Sequence, residues 1–555
     1  MLGQDQAQDE QFQQQEAYDA PLTRVVSTTS GKLQGFKDEA NQVEVFLGIP
    51  YAEPPVGSLR FKPTVELNTP EQERMCIEHA PAAPQTAMPF DTLMCVQIDH
   101  QSEDCLYLNI WTPDTVKGTK RPVIVWVHPG ACMSGSSSQP FWDGTNLARN
   151  DAIIVSFNYR LGALGWMSMD HLSPDLKSTG NLGLLDQIAT CIMSIILAPN
   201  TAGLFNRIVL QSPPMFMVSP QDWAEMKGEI FARSLSLDKS NLVEDLESVQ
   251  VETFLDSQTF MTTWPNFLEG LAPIGPNEDK RVLPSTLIEH FFHELLPKGY
   301  ENMEVMIGYT RDEFNFFFPF LPNFQEMDDT MFVRGYFTHI FGRKNARRAY
   351  ELYKQEILPP MSPPSEVTRY MCSDVMCRIA TMLTAENLAS NGHKVYLYEW
   401  DYESNDVQNV IKAAHMVDSV FSWDNLMYWT DNPFLGPGDD FERDRIAKQI
   451  SGAIINFAKT GSPNHDGIPE WPLYITNDVR DRHSMIFDRE VRVERNLYDE
   501  GLQLWKTVLK DYVKTPMFPA KPRKAAVDDF SKGNLTSPPL EDLSQNKKRK
   551  LDQED

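Results

Sequence analysis

The stretch "RPVIVWVHPG" (Arg121–Gly130) is an unbroken β-branched and aromatic run that ends on turn residues, and "DAIIVSFNYR" (Asp151–Arg160) repeats the pattern. Runs of this kind are strands buried on both faces, because a strand with one wet face alternates polar and apolar residues. Helical patterns follow them. "NLGLLDQIATCIMSII" (Asn181–Ile196) is one, and "ERDRIAKQISGAIINFAKTG" (Glu442–Gly461) is another, with apolar residues at helical spacing and a stop at Gly461 before Pro463. Strands alternating with helices predict an α/β fold built on a large, mostly parallel sheet flanked by helices.

At 555 residues, with 41% hydrophobic and 11% aromatic content, the chain has enough apolar material for a sizeable core. Its formal charge of -27 argues against nucleic acid as a partner, since phosphate backbones are held by clustered Lys and Arg. Acidity serves solubility, with a steering field for cationic substrates as the functional alternative. There is no apolar run long enough to span a membrane. The first residues, "MLGQDQAQDEQFQQQEAYDA", carry no Lys or Arg and no apolar centre, unlike an ordinary signal peptide, and no compartment is assigned.

Residues 1–22 are Gln- and acid-rich and residues 514–555 are rich in Pro, Lys and Asp, so both are expected to be disordered tails around one domain at 23–513. The "KKRK" at Lys547–Lys550 resembles a nuclear-import patch, although short basic runs at termini are commonly just solvated. Seven cysteines make a sparse, odd set. Cys95 and Cys105 are a pair or two free thiols, whereas Cys372 and Cys377 lack the spacing and the partners of a zinc site and are read as core. No glycine-rich phosphate loop and no metal-ligand cluster is apparent, so neither a nucleotide cofactor nor a metal is expected.

Several strings, in order, resemble the type-B carboxylesterase and cholinesterase-like family of α/β-hydrolases. They are "FLGIPYAEPPVGSLRF" (Phe46–Phe61), "SEDCLYLNIWTP" (Ser102–Pro113), "VIVWVHPGACMSGSSS" (Val123–Ser138), "NYRLGALGW" (Asn158–Trp166), "GNLGLLDQ" (Gly180–Gln187) and "GLFNRIVLQS" (Gly203–Ser212). "IGYTRDEFNFF" (Ile307–Phe317), "AAHMVDSVF" (Ala413–Phe421) and "FAKTGSPNHDGIPEWPLY" (Phe457–Tyr474) complete the set. The resemblance implies a serine hydrolase that cleaves carboxylic esters through an acyl-enzyme. Such chemistry needs a nucleophile on a strained strand-to-helix turn, a His to take its proton, an acid to orient the His, and N–H donors for the oxyanion.

By this resemblance Glu313 is the triad acid and His415 the base, with Met416 standing where the family usually has glycine and implying an altered loop. Gly130 and Ala131 match the family's oxyanion donors, and Pro129, which has no N–H, is not at a donor position. The nucleophile is absent. No G-x-S-x-G occurs anywhere, and "GNLGLLDQ" runs through Ala189 and Thr190 straight into "CIMSIILAP", a match for the helix that follows the family's elbow. A helix, a strand and their connections, roughly 30 residues, are missing near 188–194. Ser194 has no flanking glycines to form the elbow, and Ser212 falls at a family position that is ordinarily structural.

Loss of a central strand is expected to leave its two neighbours with unpaired backbone groups and to lower stability. The aromatic strings "FNFFFPFLPNF" (Phe314–Phe324) and "FSWDNLMYW" (Phe421–Trp429) line an apolar acyl pocket or are ordinary core; a pocket would favour small uncharged esters. The sequence therefore points to a carboxylic ester hydrolase by family with doubtful activity as it stands. The alternative is a non-catalytic binding or adhesion protein, a role that serine-lacking relatives fill.

Overall fold

The computed structural model describes residues 20–28, 31–67, 72–88, 91, 94, 97–190, 203–214, 218–237, 241–262, 274–283, 300, 302–317, 338–405, 410–430, 432–475, 478 and 480–512. Residues 1–19, the C-terminal tail, Ser194, Cys95 and Phe318–Phe324 fall outside these residues, whereas Pro21 and Leu22, assigned to the N-terminal tail from the sequence, pair with Lys37 and Phe36.

Thirteen strands are present among the described residues: β1 (Val26–Thr28), β2 (Gly31–Gln34), β3 (Phe36–Asp38), β4 (Val43–Pro50), β5 (Glu73–Met75), β6 (Tyr107–Thr112), β7 (Val123–Val127), β8 (Ile153–Phe157), β9 (Arg207–Gln211), β10 (Glu304–Thr310), β11 (Lys394–Trp400), β12 (His483–Phe487) and β13 (Arg492–Arg495). The two apolar runs of the opening stretch are β7 and β8, and they pair in parallel. They belong to a five-stranded sheet of order β3-β4-β6-β8-β7, and a second five-stranded sheet has the order β13-β12-β11-β10-β9. A small sheet, β1-β2-β5, lies apart in the chain's N-terminal part. Parallel ladders join β7–β8 and β9 through β12, and the outer strands are antiparallel.

Among the described residues β7 pairs only with β8, and β9 only with β10, so each strand has one edge without a ladder partner. The two sheets nonetheless share a core. Ile124 and Trp126 of β7 and Val209 of β9 pack onto the same cluster as Met306, Tyr398 and Trp400.

Helices cover the sheets as their periodicity predicts. Asp440–Thr460 begins at Asp439, whose side chain accepts from the N–H groups of Phe441 and Glu442, and ends at Gly461 with φ 82°. The helix Leu182–Thr190 is tied to the end of β8 by a buried ion pair, in which Arg160 reaches both oxygens of Asp186 at 2.8 Å. This pair explains why "NYRLG" and "GNLGLLDQ" occur together. Cys105, Cys372 and Cys377 are buried free thiols.

Candidate active site

Glu313 opens a short 3-10 turn, Glu313–Phe316, immediately after β10, and its side chain is wholly buried. Each carboxylate oxygen has a separate task. Oε1 accepts from the Thr310 N–H at 2.8 Å and from the Ser212 hydroxyl at 2.5 Å, whereas Oε2 lies 2.6 Å from Nδ1 of His415. The His415 N–H also reaches the Glu313 carbonyl at 3.3 Å, which fixes the backbone of one loop against the other.

His415 keeps about a quarter of its side chain exposed. Its ring lies 6.0 Å from that of Phe316 and 5.8 Å from that of Phe317. Burial pulls its pKa down, but the Glu313 charge and hydrogen bond, helped by Asp418, leave it above the ordinary 6.5. The residue after it, Met416, has φ 76° and ψ -14°. Met416 thus sits in the left-handed region that glycine favours, at about 1–2 kcal/mol of strain for a residue with a side chain.

The turn after β7 has the same character. Gly130 and Ala131 have φ 126° and 53°, and a Cβ on Gly130 would lie 1.9 Å from the Ser134 carbonyl oxygen. The Gly130 carbonyl accepts from the N–H groups of Met133 and Ser134, and the N–H groups of Gly130 and Ala131 make no hydrogen bond among the described residues. His128, just before the turn, is stacked on Tyr159 at 4.4 Å, and burial lowers its pKa to about 4, so it stays neutral.

The aromatic strings divide. Phe421, Trp423 and Trp429 are fully buried in the main core, with Trp423 5.3 Å from Trp126 and Trp429 5.0 Å from Phe141. Only Phe316 and Phe317 face His415 among the rings described.

Three neighbours were not placed at the site by the sequence reading. Ser212, at the end of β9, is a partner of Glu313, and Cys377 lies close beneath the pair. Asp418, one helical turn past His415, accepts from Tyr398 at 2.7 Å and from Gln211 at 3.2 Å. The available signal was position, since Ser212 sits at the carboxyl end of a parallel strand, where α/β proteins build their sites.

Strand order, helical cover and a buried acid-His pair at the carboxyl ends of parallel strands define an α/β-hydrolase. The chain belongs to the Carboxylesterase family, whose profile it matches over residues 22–191 and again over 189–505. It is 29% identical to phenmedipham hydrolase of Pseudarthrobacter oxydans over 486 residues, covering 82% of this chain and 94% of that one. To para-nitrobenzyl esterase of Bacillus subtilis (strain 168) it is 27% identical over 514 residues, with 86% and 98% covered. The crystal structure of the Geobacillus stearothermophilus carboxylesterase EST55 at pH 6.2 superposes with a TM-score of 0.73 at 28% identity, covering 87% of this chain and 99% of that one. No helix among the described residues is long and apolar enough to cross a membrane.

Proposed function

We propose that this chain is a carboxylesterase-family protein that retains the acid, the base and the oxyanion turn of an ester hydrolase but lacks the segment that carries the nucleophile. On this reading Glu313 orients His415, Gly130 and Ala131 are the surviving oxyanion donors, and the substrates of the intact site are small uncharged carboxylic esters. The domain is residues 23–513.

The observation that carries the reading is the pair of sheet edges, on β7 and β9, that have no ladder partner among the described residues, with the chain junction after Thr190 falling between the two sheets in sequence. A further support is the family profile, whose two matched pieces meet within residues 189–191, as they do when profile positions between them have no counterpart in the chain. Ser212 does not replace the nucleophile. Its hydroxyl donates to Glu313, so its proton is directed to the acid and not to the base.

Without a nucleophile, His415 and Glu313 have only water to activate, and the catalysis left by such deletions is small beside a full triad. The chain is expected to leave p-nitrophenyl butyrate essentially unhydrolysed. A version given a strand and a G-x-S-x-G elbow between Gln187 and Cys191 should hydrolyse it and lose the activity on His415→Ala. A restored version that folds and stays inert would overturn the proposal, as would substantial His415-dependent turnover by the chain as it stands.

A further inference from the structure

Cys377 has no part in ester chemistry, yet among the described residues its thiol lies beside Glu313 and His415. The residue sits in a π-helical turn, Asp374–Arg378, and is 1% exposed. Such turns, with their i→i+5 hydrogen bonds, are rare and recur at functional sites. Its Sγ, a carboxylate oxygen of Glu313 and a ring nitrogen of His415 all lie within 4.8 Å of one another.

We propose that Glu313, Cys377 and His415 form a binding site for a borderline-soft divalent cation, Zn²⁺ foremost, with water in the fourth position. One oxygen, one nitrogen and one sulfur are the donor types zinc accepts, and three protein ligands with an open place are the pattern of non-structural zinc sites. Zinc bonds of about 2.0–2.3 Å separate tetrahedral donors by roughly 3.4–3.7 Å. The cation therefore enters by spreading the 2.6 Å Glu313–His415 contact and drawing the thiol inward.

Two features prepare the site. The first is the anchoring of Glu313, in which the Thr310 N–H and the Ser212 hydroxyl hold Oε1 and leave Oε2 to His415. Outer partners of this kind orient metal-binding carboxylates. The second is a shortage of positive charge. The charged groups acting on Cys377 are the carboxyls of Glu313 and Asp418. The neighbouring Arg378 turns its guanidinium to Asp374 and to the Arg311 carbonyl instead. A divalent ion would neutralise the carboxylate and the thiolate it creates.

On binding, all but one of the ion's waters leave and bonds form to Oε2, Sγ and Nδ1. The thiol proton passes to solvent, and in the neutral imidazole the Nδ1 proton moves to Nε2. None of these steps requires the missing nucleophile, so the site stands or falls independently of ester turnover.

The test uses the soluble, untagged full chain, stripped of metal with a chelator and dialysed. Equilibrium dialysis with Zn²⁺ should find one equivalent bound, and Co²⁺ should give a thiolate-to-cobalt charge-transfer band that Zn²⁺ abolishes. Cys377→Ser should lose the band and weaken binding by about 100-fold, whereas Cys372→Ser, a buried thiol outside the cluster, should keep both. Ser212→Ala, which frees Oε1, should weaken binding by about 10-fold. Absence of a bound equivalent in the unsubstituted chain overturns the proposal whether or not the variants fold, and so does a band that survives Cys377→Ser.

Discussion

Glu313 is a fully buried carboxylate whose direct charged neighbour is an imidazole, and that arrangement makes the pair's stability depend on pH in a known direction. The folded-state pKa of His415 lies above its ordinary 6.5, so the folded chain holds the imidazole proton more tightly than the unfolded chain does. The resulting stabilisation is complete below about 6.5, the unfolded value, and is lost as pH rises through the folded value. Replacing Glu313 with Gln removes the charge that raises the pKa and leaves burial opposed only by Asp418. Urea unfolding of Glu313→Gln should therefore show a larger loss of stability at pH 6 than at pH 8, and a nuclear magnetic resonance titration should show the His415 pKa falling. Equal losses at the two pH values would mean that the hydrogen bonds to Thr310 and Ser212, which do not titrate, are all that Glu313 contributes. Both members of this pair were legible in the sequence because each sits in its own diagnostic string. Ser212 and Cys377 were not, since each meets Glu313 only across a long separation in the chain, and nothing local to "IVLQS" or "SDVMCR" says which strand end or helical turn lies opposite.

At the scale of elements, β10 shows how the strands deliver the site. Gly308 pairs with Tyr398 of β11, and a Cβ added to it would lie 2.1 Å from the Tyr398 ring. That ring has no room to retreat freely, because its hydroxyl donates to Asp418 on the helix Val417–Ser422 just after His415. A single methyl at position 308 is thus transmitted from the strand to the loop of the base. Gly308→Ala is expected to destabilise the chain by about 1–3 kcal/mol in urea, the usual range for overpacking a core. Removing the obstacle should relieve it, so Gly308→Ala combined with Tyr398→Ala should cost less than the two separate losses together. Strict additivity would show that the strand absorbs the methyl elsewhere. The contrast with the helix Asp440–Thr460 is instructive. There Asp439, the apolar spacing and Gly461 are neighbours in sequence, so start, face and stop could all be read, whereas the reason for Gly308 lies on another strand.

On the scale of the whole molecule, the fold was legible because its strings fall on opposite sides of the junction, and the junction also governs how the protein should behave in solution. The edges of β7 and β9 present backbone N–H and C=O groups without ladder partners among the described residues, on strands rich in Val and Ile. Val123, at the start of β7, is about half exposed. Unprotected apolar edges are templates for pairing with other chains. Two consequences should appear together if a strand belongs between them. The chain as it stands should self-associate with rising concentration, by a route that a Lys at Val123 slows, because a charge on an open edge discourages further strand addition. A version carrying the proposed segment should remain monodisperse at the same concentration and melt at a higher temperature, by about 5 °C or more if ladder and packing contribute a few kcal/mol. Light scattering and calorimetry on the same preparations decide the matter. If the longer version melts no higher and associates no less, the edges of β7 and β9 are already satisfied in solution, and the two sheets would have to be regarded as the complete architecture of this protein.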